Sequence, residues 1–211
     1  MGVFLGNTYR MHSAVNRFIS DAVYEGKLES HPDNEKRVIA VPPNYVGPLL
    51  KEAGIVYVPV QHEGNTQASD EEVAVIVALT QQLLGRMFTD TSGKKRPIDW
   101  RDILYVAPYN YQVNKLRAAL DGQAKVGSVD KFQGQEAPIV ILSMCTSDPG
   151  ESPRGIEFLL DKNRLNVAVS RAQTLAIVVA NPALQTTPAS NLQQQRLVNV
   201  FCQLVEYSKW K

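Results

Sequence analysis

The sequence has few cysteines, no long apolar run and almost no net charge, and each of these features excludes a class of protein. Its two cysteines, Cys145 and Cys202, are isolated and lack the paired spacing of metal ligands, and no metal site is predicted. The longest apolar runs fall far short of the roughly 20 residues needed to cross a membrane, so no membrane partner is expected. A net charge of +1 gives no bulk field for nucleic acid, so any such contact must be local. Without an apolar amino-terminal segment, the predicted location is the reducing cytoplasm.

Two phosphate-binding loops are also missing from the sequence. No GxGxxG follows a first strand, which argues against a dinucleotide-binding protein. No GxxxxGK[ST] occurs either, and no acidic strand end resembles a Walker B site.

The apolar residues that are present predict the fold class. Strands are predicted at 54–60, 102–108, 125–129, 138–144 and 175–180, and the apolar runs of the interior ones are typical of strands buried on both faces. Helical periodicity lies between or beside them, beginning after Ser13 and again after Ser69, whose spacing to Glu72 matches a capping box. The stretch from Tyr24 to about Pro48 loses this periodicity and is predicted to be an exposed connection. The pattern predicts one α/β domain over residues 1–211, with a mostly parallel sheet of about five or six strands flanked by helices.

The first stretch with candidate chemistry is "NTYRMH" (7–12). Arg10 can donate a pair of hydrogen bonds to an oxyanion, and the ring of Tyr9 can stack on a base. The structural alternative is an arginine in a salt bridge and a tyrosine in the core.

The second stretch, "VAPYNYQ" (106–112), places Pro108 and Tyr109 directly after a buried strand. An aromatic side chain there is a possible stacking platform for single-stranded nucleic acid. A loop closed by proline with a half-buried tyrosine is the alternative.

The third stretch, "VGSVDKFQGQE" (126–136), surrounds one glycine with polar side chains. Gly134 allows close approach of the backbone to a ligand, and Glu136 can accept hydrogen bonds from ribose hydroxyls. Ser128 can bind a nucleic-acid phosphate. Because ligands of parallel sheets meet the carboxyl ends of the strands, the loops after Val106, Val129 and Met144 are expected to converge there. The alternative is a polar hairpin-like loop.

The fourth stretch, "NRLNVAVSRAQ" (163–173), has Arg164 and Arg171 seven residues apart. On a continuous helix this spacing places both on one face. An arginine aimed at a transferring phosphoryl group stabilises charge that develops in the transition state. Ion pairs with a neighbouring domain are the alternative.

Taken in order, these stretches resemble the second RecA-like domain of superfamily 1 helicases, in the branch of the nonsense-mediated-decay helicase and the Okazaki-fragment nuclease-helicase. The resemblance divides the domain into a motif IV region, a connecting segment, a strand motif, motif V, motif VI and a carboxy-terminal helix, at 7–28, 29–54, 103–112, 126–144, 162–173 and 189–207. "PRGIEFL" and the tail "QQQRLVNVFCQLVEY" are similar to bacterial proteins that fuse a RecB-like nuclease domain to such a helicase.

The resemblance implies roles for individual residues. Arg10 and Arg171 would reach the γ-phosphate of ATP bound with Mg²⁺, with Arg171 as the arginine finger and Tyr9 beside the adenine. The ribose and phosphates would be approached by Gln133, Gly134 and Glu136. The path of single-stranded nucleic acid, DNA in preference to RNA, would be lined by Pro108, Tyr109, Ser128 and Val129.

The missing phosphate loop then has an explanation. A first RecA-like domain, absent from these 211 residues, is expected to hold the triphosphate across a cleft. The chain is therefore predicted to be half of an ATP-dependent helicase and inactive alone. A non-catalytic module that binds nucleic acid or protein is the alternative.

Overall fold

A parallel sheet of five strands forms the centre of the computed structural model, which describes residues 6–210. The strands run in the spatial order β4-β10-β9-β7-β8, and every neighbouring pair is parallel. They span Gly54–Pro59 (β4), Ile103–Val106 (β7), Lys125–Gly127 (β8), Ala137–Ser143 (β9) and Ala172–Ala180 (β10). The predicted α/β class and all five predicted strands are confirmed, while residues 1–5 and Lys211 of the predicted domain lie outside the described part.

Helices cover both faces of this sheet, as expected for strands without a polar face. One face is covered by Ser13–Tyr24 (α1), Gly155–Leu159 (α4), Lys162–Val169 (α5) and Leu192–Lys209 (α6), and the other by Asp70–Leu83 (α2) and Asn110–Ala119 (α3). All seven residues of β9 are buried; Val140 and Leu142 pack in the first core, whereas Ile139 and Ile141 pack in the second. Alternate side chains of one strand thus join two separate cores.

The segment predicted to be an exposed connection is more structured than its sequence indicates. Short strands Asn7–Thr8 (β1) and Glu29–Ser30 (β2) pair in parallel. Val38–Ile39 (β3), Met87–Thr89 (β5) and Lys95–Pro97 (β6) form a small antiparallel sheet. Because Asn34 and Ile39 are buried, the prediction of an exposed connection was wrong at these positions. Short elements of two residues have no periodicity that a sequence could display.

The described part of the chain contains no helix long and apolar enough to cross a membrane.

Candidate functional site: an arginine-rich edge of the sheet

Arg10, Glu136 and Arg171 lie together at one open edge of the molecule. Arg10 Nε donates a hydrogen bond of 2.5 Å to Glu136 Oε2, and the two side chains remain 34% and 40% exposed. Arg10 and Arg171 both line the same open cavity of about 620 Å³, with Glu136 and Asn166. Two guanidinium groups at an open cavity form a site suited to an anion.

Arg171 is held in place by backbone carbonyl groups. Its Nε donates to the carbonyl of Val167 at 3.0 Å, and Nη1 donates to that of Gln135 at 3.4 Å. Partial burial and then the positive charge of Arg10 lower the pKa of Arg171 from its ordinary value. A guanidinium nevertheless stays protonated in proteins, so the neighbouring positive charges favour an anionic ligand.

The chain before α1 is anchored by two residues of the 32–37 turn. The buried amide of Asn34 donates to the carbonyls of Thr8 and Met11 at 2.9 and 3.0 Å. Arg37 donates to the carbonyl of Arg10 and to Asn34 Oδ1. These hydrogen bonds fix the backbone on both sides of Arg10, whose guanidinium reaches Glu136.

Glu136 is charged more readily than an isolated glutamate. Burial alone would raise its pKa, but hydrogen bonds from Arg10 and Gln173, with the charges of Arg10 and Arg37, outweigh burial and lower the pKa. Gln173 Nε2 donates to Glu136 Oε1 at 2.8 Å. The carboxylate thus lies between two donors at the cavity.

Replacing Glu136 by Gln is expected to destabilise the fold by less than about 1 kcal/mol at pH 7, because the ion pair is partly exposed. Since the folded pKa is below the ordinary 4.5, the stabilisation is present above pH 4.5 and is lost as the pH falls through the folded pKa. Urea unfolding of the two proteins at pH 7, 5 and 4 measures this difference. A difference that grows on acidification would contradict the assigned ion pair.

The other residues predicted to contact nucleotide lie around this edge. The Tyr9 ring is 68% exposed and stacks on His31 with 4.5 Å between ring centroids. Gln133 and Gly134 are exposed, and Gly134 has a φ of +81°, a conformation that favours glycine. Thr8 Oγ1 accepts a hydrogen bond from the Arg10 N–H at 3.2 Å.

The loops predicted to converge, after Val106, Val129 and Met144, meet at the carboxyl ends of the strands, where Pro108, Val129 and Met144 line one cleft. The cluster of Arg10, Glu136 and Arg171 lies at the opposite ends. Glu136 directly precedes β9 and Arg171 directly precedes β10, so both lie at the amino ends, here called the amino edge. The opposite edge is called the carboxyl edge. Residues 128–136 leave the carboxyl end of β8 and return to the amino end of β9. One continuous segment therefore carries residues of both edges.

Arg164 and Arg171 do not share a helix face as predicted. Helix α5 ends at Val169, and β10 already begins at Ala172, so Arg171 lies beyond the helix. Arg164 instead lines a small cleft with Pro108 and Val129. Pairing of residue 172 with Ala137 of β9 ends the helix before the second arginine.

Four residues predicted to contact nucleic acid lie at the carboxyl edge. Pro108 and Ser128 are partly exposed, whereas Val129 is 7% exposed. Tyr109 is only 5% exposed, its hydroxyl is hydrogen-bonded to Ser152 Oγ, and burial raises its pKa. In this structure the Tyr109 ring is inaccessible to a base.

A buried carboxylate lies beneath the carboxyl edge. Glu72 is fully buried, and its Oε1 lies 3.1 Å from His62 Nε2. Its Oε2 accepts hydrogen bonds from Ser143 Oγ at 2.6 Å and from the N–H of Cys145 at 3.0 Å. The predicted capping box is half formed, because Ser69 Oγ accepts the Glu72 N–H at 3.0 Å but the carboxylate points into the core.

Sequence reasoning did not identify three contributors to these edges. Asn34 and Arg37 were hidden in a polar stretch without periodicity, and Gln173 directly follows the strand start Ala172. Asn34 bonds to Thr8 and Gln173 bonds to Glu136, and the residues of each pair are more than 25 positions apart. A single sequence offers no signal for such contacts.

An open parallel sheet with helices on both faces, and arginines facing outward at one edge, defines a RecA-like α/β domain. The family model described as "AAA domain" matches residues 2–183, and the chain belongs to this family.

Similar curated proteins agree with this family. The chain is 31% identical over 186 residues to DNA-binding protein SMUBP-2 of Rattus norvegicus, with 82% of this chain and 17% of that protein covered. It is 28% identical over 196 residues to DNA polymerase alpha-associated DNA helicase A of Schizosaccharomyces pombe, with 84% and 28% covered. For the Regulator of nonsense transcripts 1 homolog of Arabidopsis thaliana, the identity is 30% over 181 residues, with 82% and 14% covered. The domain is homologous to the motor domains of superfamily 1 helicases.

The chain spans less than a third of the length of each of these relatives. Within residues 6–210, no group of three or more His, Cys, Asp or Glu side chains is arranged to hold a metal ion.

Proposed function

We propose that this chain is the second RecA-like domain of an ATP-dependent superfamily 1 helicase, divided into the motif segments given above. The observation that carries the proposal is the gathering of Arg10, Arg171 and Glu136 at one open cavity. Two fixed guanidinium groups present donors to the phosphate oxygens of a nucleotide held by a first RecA-like domain of the same protein.

The donor set of the amino edge fits a triphosphate better than it fits a metal ion. Glu136 is the acidic residue among the described residues that line the cavity, and Arg10 already occupies one of its oxygens. The Oδ1 atom of Asn166, another lining residue, is buried without a hydrogen-bond partner. We assign Mg²⁺, which neutralises phosphate charge when bound, to ligands in the first domain.

The roles of the chain's own residues follow from this geometry. Arg171 directs its positive charge into the cavity, where it stabilises negative charge developing on a transferring phosphoryl group. When the two domains close, Arg10 leaves Glu136 and binds a phosphate group. Glu136 is then free to accept a hydrogen bond from a ribose hydroxyl. Tyr9, Gln133 and Gly134 border the nucleotide, with the exposed Tyr9 ring beside the adenine. Pro108, Ser128 and Val129 border single-stranded nucleic acid, with Tyr109 supporting them from beneath.

The test is ATP hydrolysis by the intact protein, measured with and without single-stranded oligonucleotides. We expect hydrolysis that nucleic acid stimulates, more strongly with DNA than with RNA, and unwinding of a duplex that has a single-stranded tail. The isolated chain is expected to hydrolyse no ATP. Intact protein that binds oligonucleotides tightly but hydrolyses no ATP in either condition would support a non-catalytic binding module instead.

Two finer features belong to the same proposal. The similarity of "PRGIEFL" and of the tail to bacterial nuclease-helicase fusions supports a RecB-like nuclease domain in the intact protein, which degradation of a labelled oligonucleotide would reveal. The low cysteine content supports a cytoplasmic location.

A further inference from the structure

Two arginines share one aromatic ring at the carboxyl edge. The Cζ atoms of Arg154 and Arg164 lie 4.5 and 4.3 Å from the ring centroid of Phe158. The ring is supported from the core by Tyr109, whose own ring lies 5.3 Å away between centroids. Cation–π contacts of this kind fix the position of a guanidinium without consuming its N–H donors.

The positive charge of this pair is poorly neutralised. Arg164 Nη2 lies 3.8 Å from Asp130 Oδ2, and that carboxylate is 76% exposed, so the ion pair contributes little. Arg154 is exposed and has no carboxylate within 4 Å among the residues that the structure describes. Two cations beside one ring repel each other, and a nearby anion would offset that repulsion.

The position of the pair indicates which anion this is. Phe158 and Arg164 line the same cleft as Pro108 and Val129, two of the residues predicted to border nucleic acid. Phosphate groups receive half or more of the hydrogen bonds between proteins and nucleic acid, and arginine is a frequent donor.

We propose that Arg154 and Arg164, held on Phe158, bind phosphate groups of the single-stranded nucleic acid at the carboxyl edge. This inference rests on the proposed function and adds a binding site to it. Tyr109 is then a positioning residue, because its ring supports Phe158 and its hydroxyl is bonded to Ser152 beside Arg154.

The experiment measures the affinity of the intact protein for fluorescein-labelled oligothymidine and oligouridine by anisotropy between 0.05 and 0.3 M salt (~0.1 M as reference). The test variant carries Arg154→Gln and Arg164→Gln. Each lost phosphate contact removes about 0.7 from the slope of log affinity against log salt, which predicts about 25-fold weaker binding at 0.1 M salt and a slope shallower by about 1.4. The effect is expected for both oligonucleotides, since phosphate is common to them. Arg101→Gln, the same change at an exposed arginine preceding β7 on the amino side of the sheet, is the matched control and is expected to change neither quantity.

Two further variants, both at Phe158, test the contribution of the ring separately from that of the two arginines. Phe158→Leu is expected to weaken binding by removing the platform, and Phe158→Tyr is expected to retain it. Thermal melting shows whether each variant is folded, and ATP hydrolysis at saturating oligonucleotide shows whether its motor is intact. Unchanged affinity and slope in the double variant, or an equal loss in Arg101→Gln, would overturn this inference while leaving the helicase proposal standing. Failure of the unchanged protein to bind or to hydrolyse ATP would instead overturn the helicase proposal.

Discussion

Replacing Arg171 by Ala in the intact protein is expected to slow ATP hydrolysis by about 10³–10⁵-fold, the range typical of a lost arginine finger. The reason is that its guanidinium, fixed by the carbonyls of Val167 and Gln135, faces the cavity it shares with Arg10. ATP affinity is expected to change little, because the first domain holds most of the nucleotide. Steady-state hydrolysis and binding of a labelled ATP analogue measure the two effects separately.

Two comparison variants sharpen this test. Arg171→Lys is also expected to be slow, since an ammonium group lacks the planar fork of a guanidinium. Arg101→Ala removes the same charge from an exposed position outside the cavity and is expected to leave hydrolysis near its original rate. Normal turnover by Arg171→Ala would remove Arg171 from the catalytic machinery, and a fall in melting temperature would attribute a slow rate to misfolding.

The second large effect is on stability. Glu72→Ala is expected to lower the free energy of unfolding by about 3–5 kcal/mol, because it leaves three buried donors without an acceptor and each such group costs about 1–3 kcal/mol. The substitution leaves His62 Nε2, the Ser143 hydroxyl and the Cys145 N–H without their acceptor. Urea denaturation monitored by circular dichroism gives the difference directly.

The neighbouring residue supplies the control. Glu71 is exposed and lies on the same helix, so Glu71→Ala is expected to change stability by no more than about 1 kcal/mol. For Glu72→Gln, which keeps one acceptor oxygen, the loss of stability is expected to lie between those of the two alanine variants. Equal losses for the Glu71 and Glu72 variants would show that helix α2, rather than the buried network, controls the stability.

The five central strands were predictable because their signal is local. The run Pro138–Leu142 is continuously apolar, a pattern typical of a strand buried on both faces. The chemical character of the amino edge was predictable in the same way, because Arg10, Glu136 and Arg171 lie in short polar segments that have no use in a core.

The positions of several residues depended on distant contacts and were not predictable. Arg171 lies outside α5 because β10 pairs with β9 one residue later. Glu72 points inward because His62 and Ser143, 10 and 71 residues away, meet it there. Tyr109 is buried because it packs against Ser152 and Phe158, which lie more than 40 residues further along the chain. Each outcome requires the tertiary fold before the local pattern can be interpreted.

Residues 128–136 connect the carboxyl edge of the sheet to its amino edge. Phe132, at the middle of this segment, is only 2% exposed and packs in the core, so it restricts the movement of both ends of the segment. In the proposed helicase, a displacement of Glu136 by bound nucleotide therefore acts, through this one backbone segment, on Ser128, which borders the nucleic acid. The proposed nucleotide site and the proposed nucleic-acid surface are thus connected by nine consecutive residues of the backbone.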